Sequence, residues 1–448
     1  MNEPQTLPTM TARQLREYLV EGRVDIEEFY DGHLRFAKAL DERIHAFADL
    51  DERVVRLQAA HRKTERARGE PLPALYGVPV AVKDIIDTID FPTAFGSRIH
   101  EGRYAVADAT VVRRLRAAGA VVFGKTVTTE FAGMHPGPTR NPHQLDHTPG
   151  GSSSGSAAAV AAGIVPVALG TQTNGSVLRP ASFCGVYGFK PTRGLLPRTG
   201  VFEQSPSLDQ LGVFARDIGD IARVTEILSG DDGDDPLSQG MAPRSLAAQA
   251  ASEPPVEPRF CFVRTPWWGR MDPEAREACE FFLETMQAEV TVTELPAVVE
   301  QSLQWHRQVH EAELAFAMQR EYRHHRDQLS PGLRDQIERG MSLPALDYLT
   351  ARDRMPHVAC AFDSFFEHYD AILTPAALGP APQGLDTTGD PIMQTVWSFG
   401  GLPSLSLPLL NLSGGLPLGI QAVGALHQDG RLLRSCRWLV QRFFDRSR

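Results

Sequence analysis

Thr148 to Gly194 reads TPGGSSSGSAAAVAAGIVPVALGTQTNGSVLRPASFCGVYGFKPTRG, and no other stretch of the 448 residues combines so many glycines and hydroxyls with so little charge. A segment of that composition places backbone rather than solvating a surface. Ser156 to Ala162 is alanine-rich and predicts a helix closed by Gly163, since glycine takes the left-handed conformation after a helix most cheaply. Ile164 to Leu169 predicts a short buried strand, apolar and bounded by Gly163 and Gly170, with Pro166 near its start. A serine-rich loop thus feeds a helix. A strand then feeds a second loop, Thr171-Gln172-Thr173-Asn174-Gly175-Ser176, where successive backbone N–H groups could converge on an oxyanion.

Upstream, Val78 to Val82 is an apolar, strand-like run that would carry Lys83 inward at its end. A serine hydroxyl is a poor nucleophile unless a base removes its proton as it attacks. Lysine is such a base only when neutral, and burial is what lowers its pKa from about 10.4 toward the working pH. Of the 45 basic residues only five are lysine: Lys38, Lys63, Lys83, Lys125 and Lys190. Generic positive charge has been left to arginine, which cannot deprotonate, so a base position must stay lysine. Lys125 and Lys190 read as structural, whereas Lys83 stands out by the motif around it.

Gly150-Gly151-Ser152-Ser153, the Ala/Gly helix, Gly170-Thr171, Gly175-Ser176, Pro180 and Phe183-Cys184-Gly185 through Lys190-Pro191-Thr192 resemble the signature block of the amidase signature family. Gly77 to Asp84, GVPVAVKD, is similar to that family's lysine motif. The resemblance runs from about residue 10 to about residue 440, closest over 75–195 and 371–424, and rests on several separated motifs in the right order. It implies an α/β fold, the amidase signature fold, with a central mixed β-sheet covered by helices on both faces. One domain would span residues 1–448, with N-terminal helices over about 1–70, a surface excursion over about 229–258, and a variable helical region over about 265–370 that helps to choose the substrate.

The same resemblance implies a Ser-Ser-Lys triad, with Ser176 as nucleophile, Ser152 as bridging serine and Lys83 as base. The two serines stand 24 residues apart, which matches the family spacing. Thr173, Asn174, Gly175 and Ser176 would supply oxyanion-hole N–H groups, and the peptide bond from Gly151 to Ser152 should be cis. The implied reaction is hydrolysis of a small amide through an acyl-enzyme on Ser176, with no metal and no organic cofactor.

Four positions depart from the common pattern: Gln172 stands where most members have Asp, Ser154 and Asn174 each replace a usual glycine, and Arg179 falls three residues after Ser176 rather than two. Gln172 keeps hydrogen-bonding capacity without the charge, and Asn174 tolerates a left-handed conformation. The TQT…GSV-x-RP form resembles the malonamidase-like branch, which implies a carboxylated amide held by Arg179, a guanidinium suited to bidentate binding. The alternative for Arg179 is a structural ion pair. Gln172 is a further candidate for substrate contact. Thr126 to Pro142 is rich in turn formers and reads as a loop; the resemblance implies that it helps to wall the substrate pocket, where Phe131 and Met134 either line the pocket or belong to the core.

A net charge of −10 with no basic block argues against a nucleic-acid or anionic-membrane surface, so the expected partner is a small-molecule amide, with a homodimer compatible. Five cysteines without C-x-x-C spacing indicate neither a disulfide framework nor a zinc site. MNEPQTLPTM lacks a charged and an apolar targeting region, which predicts a cytoplasmic chain.

Elsewhere the periodicity predicts helices over Thr11 to Glu21, with Thr11 as N-cap, over Ile26 to Arg66, and from about Ala109 to Ala118, followed by a strand from Ala120 to Phe123. Ser229 to Pro258, rich in Asp, Pro, Gly, Ala and Ser, reads as a surface excursion or a mobile linker rather than part of the core. Phe260 to Val263 predicts a strand, Asp272 to Gln287 a helix, and Gln301 to Arg339 a strongly helical stretch. In the last, His306 and His310 share a face four residues apart; without a third ligand they read as part of a solvated helical face.

Two rival roles bear on the function. Gly151 to Gly155 matches G-x-S-x-G, which would make Ser153 the nucleophile of an α/β-hydrolase; that motif needs a strand directly before it, and Arg140 to Pro149 has two prolines and no apolar run. The other is the amidase-type subunit of a glutamine-dependent amidotransferase complex, which hands ammonia to a partner.

Overall fold

The computed structural model describes residues 9–69 and 71–447. The first eight residues, on which most of the targeting expectation rests, lie outside them. In chain order the strands are β1 Phe47–Asp49, β2 Pro79–Lys83, β3 Val121–Thr126, β4 Val167–Gln172, β5 Tyr187–Lys190, β6 Gln210–Ala215, β7 Phe260–Val263, β8 Val290–Thr293, β9 Ala371–Pro375, β10 Ser404–Asn411 and β11 Pro417–Val423. They form one eleven-stranded sheet in the order β1-β3-β2-β4-β6-β5-β10-β11-β9-β7-β8. The sheet is mixed: β2 runs parallel to β3 and to β4, while β4 is antiparallel to β6. Helices flank it, and the fold is the expected mixed α/β type.

Burial explains the centre of the sheet. Every residue of β2, β3, β4 and β6 is buried, and a strand covered on both faces reads as continuous Val, Ala and Leu rather than as an alternation. The helix Ser154–Ala161 is likewise small and apolar all round, and all but its last residue is buried, packed against β2 and β4. Because β2 and β4 are parallel neighbours, Lys83 at the end of one and Thr171 at the end of the other come out on the same side of the sheet.

Several boundaries differ from the sequence reading. The strand expected over Ile164 to Leu169 begins at Val167 and continues to Gln172, because β4 pairs in register with all of β6. The single helical stretch from Ile26 to Arg66 is two helices, Ile26–Ile44 and Glu52–Ala67, separated by β1. Three residues of strand are too short to show a period of two.

The stretch from 229 to 258 is anchored rather than free. It carries the helix Leu246–Ala251, whose Leu246 and Ala250 are buried and which packs on the C-terminal helix Asp429–Arg446. Its Asp235 forms a buried ion pair with Arg198, at 2.8 Å from Nη2.

Candidate active site

Lys83 sits at the last position of β2 with no exposed surface. Its Nζ lies 2.7 Å from Ser152 Oγ and 2.8 Å from Thr171 Oγ1. Burial holds the Lys83 pKa well below the ordinary lysine value, opposed only by the charge of Asp209. Two hydroxyl partners and no carboxylate in contact leave burial unopposed at close range, which favours the neutral amine, the form that can accept a proton. Lys125 and Lys190 are also buried, but they are spent on structure: Lys125 pairs with Asp84 at 3.4 Å, and Lys190 donates to the Leu402 carbonyl and to Gln210 Oε1.

The Gly151–Ser152 peptide is cis, as the resemblance implies. Ser153, the rival nucleophile, is fully buried, with its hydroxyl donating to the Thr171 carbonyl at 3.2 Å and accepting from the Thr171 N–H at 3.2 Å. No strand leads directly into it, so the nucleophile-elbow geometry is absent.

Ser176 lies in the loop after β4, and Thr173, Asn174, Gly175 and Ser176 together line one end of a cleft of about 670 Å³. The loop is held from outside. Thr173 Oγ1 donates to Asp209 Oδ1 at 2.5 Å, and Ser398 Oγ donates to the Asn174 carbonyl at 2.5 Å. Asp209 also accepts from the N–H groups of Gln204 and Ser205, and burial, the largest influence, lifts its pKa to about 6.

Gln172, a candidate for substrate contact, does not reach the cleft. Its Oε1 accepts from the N–H groups of Val177 and Leu178, at 2.8 and 3.0 Å, and its Nε2 donates to Ser398 Oγ at 2.9 Å. A neutral amide offers the acceptor and the donor that this position needs, whereas a carboxylate offers acceptors alone.

Arg179 belongs to the cleft wall and, among the described residues, forms no structural ion pair with an acid. Its Nε donates to the Thr388 carbonyl at 2.6 Å, and its Nη2 donates to the Gly151 carbonyl at 2.7 Å and to Thr388 Oγ1 at 3.1 Å. Nη1 is buried with no partner among the described residues. A Cβ on Gly175 would stand 2.8 Å from that Nη1, so glycine is what lets the loop after β4 close over the guanidinium. Burial lowers the Arg179 pKa to about 10, with the nearby Asp390 opposing it.

Phe131 and Met134 part company. Phe131 is fully buried among Phe95, His100 and Phe202, with ring centroids 5.6 to 6.2 Å away, and belongs to the core. Met134 lines the cleft and is 48% exposed.

Two groups that the sequence reading placed on a solvated face turn inward. His306 and His310, on the helix Val298–Ala317, both line the cleft. The reading failed because spacing identifies a face but not what covers it. Among the described residues no group of three or more His, Cys, Asp or Glu could hold a metal ion.

The mixed α/β sheet sets a buried lysine of lowered pKa against a buried serine, and a cleft opens beside the loop that follows β4. The chain belongs to the amidase family, whose model matches residues 32–433, and it acts on carbon–nitrogen bonds as a hydrolase or an amidotransferase. It is 34% identical to a glutamyl-tRNA(Gln) amidotransferase subunit of Koribacter versatilis, over 91% of this chain and 92% of that one. Among solved structures it resembles the peptide amidase of Stenotrophomonas maltophilia, with TM-score 0.84, 29% identity and 98% of both chains covered. It also resembles a chain from a protein complex that bears on the origins of an s-triazine catabolic enzyme, with TM-score 0.89, 29% identity and coverage of 97% and 98%.

These relatives correct one expectation. A chain acting alone or as a homodimer on a small-molecule amide does not fit curated relatives that are each one subunit of an amidotransferase. Charge and cysteine content do not report on such partners, because a protein-binding surface needs neither. Among the described residues no helix is long and apolar enough to cross a membrane.

Proposed function

We propose that the chain is the amide-cleaving subunit of an amidotransferase-type assembly, releasing ammonia from a donor amide through Ser176 for use by a partner chain. The observation that carries the chemistry is the buried contact between Lys83 and Ser152, 2.7 Å long. Neutral Lys83 takes the proton of Ser152, Ser152 takes that of Ser176, and Ser176 Oγ attacks the amide carbonyl carbon. The N–H groups of Thr173 to Ser176 receive the oxyanion. When the C–N bond breaks, the proton returns to the departing nitrogen. A nucleophile then cleaves the Ser176 ester, water in the simplest case, and regenerates the three side chains.

The donor we infer carries a carboxylate. Arg179 Nη1 is a buried donor with no partner among the described residues, close beside Gly175, and a carboxylate is the group that such a nitrogen lacks. Asp390, on the same cleft and near enough to raise the Arg179 pKa, is already paired with Arg270 at 2.7 Å, which leaves Arg179 as the group that selects the donor. The unpartnered Nη1 favours an amide that also carries a carboxylate, such as the side-chain amide of an amino acid, over an uncharged one. That the curated relatives are amidotransferase subunits supports the assembly, as does the solved relative that comes from a protein complex.

The test is ammonia release from glutamine, asparagine and uncharged amides, by the chain alone and by the affinity-tagged chain recovered from its own host with whatever it retains. The reading expects carboxylated amides to be preferred, Arg179→Ala to remove that preference, and a co-purifying chain to raise turnover. Full activity of the isolated chain on uncharged amides, unchanged by Arg179→Ala, would sink it.

A further inference from the structure

We infer that His306 is a positioning residue for the oxyanion loop, and that with His310 it makes the helix Val298–Ala317 a brace for two segments of the cleft lining. The inference rests on the proposed Ser176 chemistry and concerns a histidine pair that the chemistry itself leaves unused.

His306 Nε2 lies 3.1 Å from the Thr173 carbonyl oxygen. A carbonyl only accepts, so Nε2 carries the proton and donates. A trans peptide is planar, with its N–H directed opposite to its C=O. Fixing the Thr173 carbonyl therefore fixes the direction of the Asn174 N–H, one of the expected oxyanion donors. Ser398 does the same for the next peptide by donating to the Asn174 carbonyl, which aims the Gly175 N–H. Two consecutive donors of the loop are thus aimed from outside, one of them by a helix more than a hundred residues further along the chain.

His310 supports a second segment of the cleft lining. Gln204 Nε2 donates to the carbonyls of Phe131 and Ala132, at 3.2 and 3.0 Å, so its Oε1 is left as acceptor and His310 Nε2 donates to it at 2.5 Å. Phe131 and Ala132 hold φ of 47° and 55°, a left-handed pair of non-glycine residues that needs such support. Ala132, Gly133 and Met134 line the cleft. The same helix is further tied to the loop after residue 204 by Glu313, which accepts from the Ser205 and Ser207 hydroxyls at 2.5 and 2.6 Å. His306 and His310 stand on one helix with ring centroids 5.8 Å apart, so both contacts depend on the placement of that helix.

The role predicts a loss of transition-state stabilisation rather than of binding. The readout is the second-order rate at which a fluorophosphonate labels Ser176, where the Ser Oγ–P bond forms, fluoride leaves, and the serine proton passes to Ser152 and Lys83. His306→Gln keeps an N–H donor of similar reach and His306→Met does not. With rates normalised to the folded fraction, the Gln variant should label within a few-fold of wild type, and the Met variant about 10- to 100-fold more slowly, the range for a displaced oxyanion donor. Equal rates for Met and wild type would overturn the inference, whereas a wild type that labels no faster than Ser176→Ala would instead overturn the nucleophile assignment. Histidine nitrogen-15 shifts of the wild-type protein give a second reading that needs no variant. The Nε2–H tautomer at His306 supports the brace, and the Nδ1–H tautomer would contradict it.

Discussion

In the proposed chemistry Lys83 is the residue on which turnover depends. Its side chain has lost water without gaining a counter-charge in contact, and that combination depresses an amine's pKa. Activity should rise with pH through the depressed Lys83 pKa and reach its plateau well below the ordinary lysine value of about 10.4; a pH–rate profile still climbing in that range would contradict this. Lys83→Arg keeps the charge, cannot lose a proton, and should lower kcat by about 10²- to 10⁴-fold. Gln172 shows how a residue beside the site can matter without touching substrate. Gln172→Leu would orphan the Val177 and Leu178 N–H groups and remove the donor to Ser398, which should cost about 1–3 kcal/mol per orphaned group, read by urea unfolding. Arg179 carries the same lesson, with two of its three nitrogens spent on holding the Gly151 and Thr388 carbonyls and only the third free for a ligand.

At the scale of elements, the cleft is made by helices docking on loops. The helices Val298–Ala317 and Pro331–Ser342 pack so closely that a Cβ on Gly340 would stand 1.9 Å from the Glu311 carbonyl oxygen and 2.9 Å from Ala315 Cβ. Gly340→Ala should therefore destabilise by about 1–3 kcal/mol from overpacking, against a gain of about 1 kcal/mol in helix propensity. A rise in Tm would show that the crossing is looser than described. The N-terminal helix Ile26–Ile44 docks in another way. His33 Nε2 donates to the Ile164 carbonyl at 2.7 Å, and burial lowers its pKa to about 4. Between pH 6.5 and 4 the unfolded chain takes up a proton at this histidine that the folded chain refuses, so its contribution to stability falls as pH falls through that window. Raised pKa values at Asp209 and Asp220, both near 6, act in the opposite sense. His33→Gln should accordingly lose less stability than wild type on acidification from pH 6.5 to 4, and an unchanged slope would assign the acid sensitivity elsewhere.

Across the whole molecule, what could be read from the sequence follows from how local the signal is. The glycines and hydroxyls of 148–194 and the apolar run into Lys83 are contiguous, so their loops, helix and strands were legible before any fold was known. The parallel pairing that brings Lys83 to Thr171 and Ser152 is non-local, and the resemblance supplied what periodicity cannot. Contacts made across long stretches of chain were out of reach. His306 on Thr173, Gln172 on Ser398 and Asp235 on Arg198 each join segments whose composition says nothing about the other. Phe131 shows the converse, since a loop aromatic reads equally as pocket or core until its neighbours are known. The central claim remains that one serine of the many in this region is the nucleophile. The most direct test is to treat the protein with a fluorophosphonate and locate the adduct by peptide mass spectrometry. A single adduct on Ser176, absent from Lys83→Met, is the predicted result; an adduct on Ser152 or Ser153, or one that forms at the same rate without Lys83, would contradict it.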